Sequence, residues 1–198
     1  MPIVAAIALY NDFGELTPAG AGGEAVVAKL VDRLAAVDLL DQAAVLLERQ
    51  LGHLSAGEDR ARIATQLAEL RLNDQKSQAA LDALEASDAP DLSSELRLRR
   101  TLLHARTLAA LGRTEAAVAM LHDDHGIDAI RLRADIIWRS GQWAAAAQAY
   151  RSVLALIKPV GGKLDDADAE AVLKGAIALA FTQDTGALAA RVAQTAAP

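Results

Sequence analysis

From Glu24 to about Lys158 the apolar residues recur at i, i+3, i+4 and i+7, the spacing that gathers them on one side of an α-helix. Val27, Leu30, Val31 and Leu34 form one such stripe, and Ile63, Leu67, Leu70 and Leu72 a rougher one. No segment keeps the strict alternation of a half-buried strand. The pattern therefore predicts an all-α chain with essentially no sheet.

The breaks between stripes are short, and each has a chemical reason. Ser55-Ala-Gly-Glu58 reads as a capping box, in which the Ser oxygen takes a backbone N–H and the Glu reaches back to another. Asp88-Ala-Pro90-Asp91 ends one helix and is placed to cap the next, and residues 122–126 end another. Pro159-Val-Gly161-Gly162 closes the main periodic region. Asp165, Asp166 and Asp168 then stand where a further helix begins, at the end whose dipole favours negative charge. Residues 1–23, punctuated by Asn11, Gly14, Pro18, Gly20, Gly22 and Gly23, read as a non-repeat arm. Residues 24–158 read as about four helical repeats, and 163–198 as a worn helical pair packed on them.

Two segments superimpose well, residues 103–121 and 132–150. In each, a small residue (Ala105, Ala134) is followed three later by a large one (Leu108, Ile137). A Gly follows (Gly112, Gly141), then an Ala five further on (Ala117, Ala146) and a large residue four beyond that (Leu121, Tyr150). The early Ala belongs where two helices of one unit meet, the Gly at a tight turn ending the first helix, and the later Ala where a bulkier side chain would push the pair apart. Two degenerate units align with these. One carries Leu30/Val31, Leu34, Ala43 and Leu47, the other Leu67/Ala68, Arg71, Ala80 and Leu84. Taking Ala43, Ala80, Ala117 and Ala146 as equivalent gives spacings of 37, 37 and 29 residues.

This framework of small, large, Gly, Ala and large residues resembles the tetratricopeptide repeat, whose period is about 34 residues. The departures are specific: Asp38 and Gln75 stand in place of the turn Gly, and the usual first-helix Trp is missing. The stretch from Leu9 through Ala44 is also similar to the C-terminal part of large bacterial tetratricopeptide proteins of unassigned function. The resemblance implies a right-handed solenoid of antiparallel helix pairs. It also implies that the first helix of each unit lines a concave groove. Aligned on Ala68, Ala105 and Ala134, the groove positions carry Arg62, Arg99, Arg106, Arg131, Trp138 and Arg139.

Composition agrees with helices and narrows the chemistry. The chain has 198 residues, 53% of them hydrophobic and only 3% aromatic, so Ala and Leu rather than large rings must fill the core. The formal net charge of -6 gives no basic footprint for nucleic acid. No run reaches the roughly 18–20 apolar residues of a membrane span. The first fifteen residues lack the basic flank and long apolar stretch of a signal peptide. The expected compartment is the cytoplasm, or the periplasm if the chain is a piece of a longer exported protein. With no cysteine, thiolate metal sites, disulfides and cysteine nucleophiles are excluded.

Motif by motif, the residues give little sign of catalysis. His122-Asp-Asp-His125 has a metal-compatible i,i+3 spacing but lacks the Glu of a zinc-protease helix, and it falls at a helix end where His suits the dipole. His104, on a helix between units, reads as a packed residue. Gly161-Gly-Lys163 fails as a phosphate loop, because Ile157 and Leu164 occupy the positions of its first Gly and its Ser/Thr. Gly20-Ala-Gly22-Gly23 follows no strand, and the 165–168 acidic run lacks the Gly and distal Glu of a calcium loop. No catalytic residue, metal site or cofactor is expected. The expected function is a non-catalytic scaffold that holds a protein or peptide partner, acidic in character, against the Arg positions. The alternatives are a regulatory or accessory domain of a larger bacterial enzyme or transcription regulator, or a hydrolase built on His122 and His125.

Overall fold

The computed structural model describes residues 21–158 and 163–182. Among them the chain is all-helical, with α1 (Ala21–Ala35), α2 (Leu40–Gly52), α3 (Glu58–Asn73), α4 (Ser77–Glu85) and α5 (Ser94–Ala110). Then come α6 (Thr114–Met120), α7 (Ile127–Arg139), α8 (Trp143–Leu156) and α9 (Asp166–Phe181). No strand element occurs among the described residues. The chain divides into two compact units, residues 1–103 and 104–198, with the boundary inside α5.

Four turns share one backbone solution. Asp38, Gln75, Gly112 and Gly141 all have positive φ, at 61°, 59°, 75° and 75°. In the first three turns the N–H of the next residue bonds back to the carbonyl five residues earlier. These bonds run from Leu39 to Leu34 (2.9 Å), Lys76 to Arg71 (2.8 Å) and Arg113 to Leu108 (2.9 Å). That bond satisfies a carbonyl the ending helix would otherwise leave unpaired. The carbonyl of the same next residue then accepts the first bond of the following helix, from Ala43, Ala80, Ala117 and, in the fourth turn, Ala146 to Gln142. Each of these four alanines is fully buried. The positions expected to hold the turn thus do hold it, including the two where the sequence has no glycine.

In the first unit, α1 and α2 close on each other through Val27, Leu30, Val31 and Leu34 against Ala43, Ala44, Leu46 and Leu47, and Ile63, Leu67 and Leu70 of α3 extend the same core. Ala68, Ala80 and Leu84 meet Leu103 of α5 in a second cluster. In the second unit, Ile130 and Ala134 of α7 pack with Tyr150 and Val153 of α8 and Ala171 of α9. A Cβ on Gly175 of α9 would lie 3.2 Å from the Tyr150 Cβ, tight enough that Tyr150 would have to give by a few tenths of an ångström.

Helix starts differ from expectation in two places. The Ser55–Glu58 capping box does not form: α3 begins at Glu58 with Gly57 as its N-cap. The loop is held instead by Arg60, whose guanidinium donates to the carbonyls of Leu51 (2.7 Å) and Leu54 (3.0 Å). Asp91 does not cap α5 either. Ser93 takes that place, its Oγ accepting from the N–H of Leu96 at 3.4 Å, while Arg97 donates to the carbonyls of Pro90 and Leu92. In both loops a guanidinium one turn into the new helix does the fixing, which a capping rule based on short side chains misses. Asp165 does cap α9 as expected, accepting from Asp168 N–H at 2.7 Å. α1 starts at Ala21, within the span expected to be an arm. Residues 1–20 and the second helix expected in 183–198 lie outside the described residues.

The shared turn yields opposite signs for two substitutions. Gly112→Ala meets open space, so its cost is conformational alone, about 1–2 kcal/mol for an L residue in the left-handed region. Gln75→Gly removes that same cost but frees the unfolded chain by about 0.4–1 kcal/mol, leaving a gain of about 0.5 kcal/mol. Urea melts followed by circular dichroism measure both. A lower midpoint for Gln75→Gly would show that this turn carries no strain.

Candidate functional site

The six residues expected to line a groove fall into two groups with different surroundings. In the first unit, Arg62 on α3 pairs with Asp59 one turn back at 2.5 Å. Arg99 on α5 makes a bidentate fork to Glu69 of α3, Nε to Oε1 at 2.8 Å and an Nη to Oε2 at 2.6 Å. Its charge is held on more firmly than usual, first by the hydrogen bond it donates to Glu69. This fork ties α5 to α3.

In the second unit, Arg131 on α7 is paired with Asp168, a buried carboxylate in the first turn of α9. Arg106 and Arg139 are exposed, and neither forms an ion pair with any described residue. Asp135, on the same helix, is occupied by other partners. It accepts from the Tyr150 hydroxyl at 2.5 Å and from Lys174 of α9 at 2.7 Å. Burial pulls the Lys174 ammonium towards deprotonation, but Asp135 and Glu170 together outweigh it, and its pKa ends above the ordinary lysine value. Tyr150 is almost fully buried, and burial first, then the hydrogen bond to Asp135 and that carboxylate's charge, pushes its phenol well above the usual range.

Trp138 lies on the same stripe of α7 as Arg131 and Asp135. Its indole meets Trp143 edge-on, with ring centroids 6.0 Å apart, and the Lys174 ammonium stands 5.6 Å from its centroid. Trp143, at the start of α8, stacks on Phe181 at the end of α9, 4.6 Å apart at 18°. Trp138 Nε1 is shielded from solvent and has no acceptor among the described residues.

One functional-looking residue was missed. Arg100 of α5 is buried, with hydrogen bonds to the carbonyls of Ala61 and Leu84 and to the hydroxyls of Thr65 and Ser87. Burial lowers its pKa, and the charge of Asp88 opposes that shift. All four partners are neutral and all belong to the first unit, so Arg100 acts as a cross-brace for α3, α4 and α5. The sequence did carry a sign of it: Arg100 sits four residues after Leu96 and three before Leu103, on the buried stripe of its own helix.

His122 and His125 are exposed in the loop after α6, where Gly126 N–H donates to the side chain of Asp124 instead. His104 is half-buried on α5. Among the described residues no cluster of three or more His, Cys, Asp or Glu is placed to hold a metal ion, and no helix is long and apolar enough to cross a membrane. Comparison with protein-family models, with curated proteins and with solved structures gives no match for this chain.

The Tyr150–Asp135 contact makes the second unit sensitive to alkali. A folded-state pKa above the unfolded value means that the neutral phenol favours folding. That stability is complete below about pH 10 and is lost as pH rises beyond it. In a Tyr10→Phe background, phenolate absorbance is expected to appear only together with unfolding. Ionisation near pH 10 with the helices intact would contradict it. Tyr150→Phe is expected to cost about 1–2 kcal/mol through loss of that hydrogen bond.

Proposed function

We propose that this chain is a tetratricopeptide-type repeat protein, non-catalytic, that binds an acidic peptide or protein segment on the first helices of its hairpins. The observation that carries the reading is the repeated hairpin itself: four equivalent left-handed turns, each followed five residues later by a fully buried Ala. Such units bury their apolar faces by stacking and leave a row of side chains on each first helix for a partner. Fold alone does not assign function, so the charges on those helices supply the rest.

Not all the candidate arginines serve equally. Arg62, Arg99 and Arg131 already have carboxylates, and a ligand would have to compete for them. Arg106 and Arg139 carry exposed guanidiniums without such partners among the described residues, in a protein of net charge -6. A guanidinium offers a flat fork of donors suited to carboxylates. Within this reading the second unit is therefore the better place for an anionic segment, and Trp138 beside Arg139 adds apolar surface.

The test is fluorescence anisotropy with a labelled Asp/Glu-rich peptide, a Lys-rich peptide of equal length serving as control. The acidic peptide is expected to bind, more weakly as salt rises. Arg106→Glu should weaken it about tenfold, equivalent to about 1.4 kcal/mol, while Arg62→Ala changes it less than twofold. Equal binding of both peptides, or an unaltered Arg106→Glu variant, would defeat the proposal. An affinity pull-down with the full chain would then identify the natural partner.

A further inference from the structure

We draw no further inference here: the strongest candidate, the exposed apolar face of α9 around Leu173 and Phe181, carries nothing because nothing in the structure shows what covers it.

Discussion

Everything in this fold hangs on a turn that forces one residue per hairpin into the left-handed region. Asp38, Gln75, Gly112 and Gly141 pay that conformational cost, and the chain recovers it by closing the end of one helix and opening the next within two residues. The reversal is so tight that the second helix comes down directly on the first. Five residues past each turn stands an alanine, Ala43, Ala80, Ala117 or Ala146, and each is fully buried.

Beside the apolar core, long polar side chains add fixings between helices and loops. Arg60 and Arg97 fasten the loops, Arg99 bridges α5 to α3 through Glu69, and Arg71 reaches two carboxylates of α2, Asp41 and Glu48. Exposed pairs of this kind each contribute little, about 0–1 kcal/mol. Their value lies in setting the register between neighbouring helices. Arg100 is the exception, since its guanidinium is buried and satisfied only by neutral oxygens. Removing those partners would strand a charge.

The second unit solves the same problem with different chemistry. Tyr150 fills the space that Leu121 fills one repeat earlier, and its hydroxyl ends on Asp135, which in turn holds Lys174. Gly175 lets α9 settle against that ring. Three aromatic residues, Trp138, Trp143 and Phe181, meet where α7 ends, α8 begins and α9 ends, and the Lys174 ammonium beside them is held by Asp135 and Glu170.

What the sequence by itself determined was local. The helical class, the four turns and the buried alanines follow from periodicity and from the recurrence of a small residue five positions after each turn, and even Asp38 and Gln75 were legible as turn residues by register. The Asp165 cap followed from a single side chain beside its own helix. Tertiary structure alone decided which charges are spent. Arg99 and Arg106 look alike in sequence, almost two turns apart on the same helix. One meets Glu69 of α3 across thirty residues, and the other has no ion pair among the described residues. The Trp143–Phe181 stack joins residues on α8 and α9 that no spacing rule connects. Helix periodicity says which way a side chain points, but its partner is set by the neighbouring helix, whose placement depends on the whole sum of turns, small residues and close contacts before it.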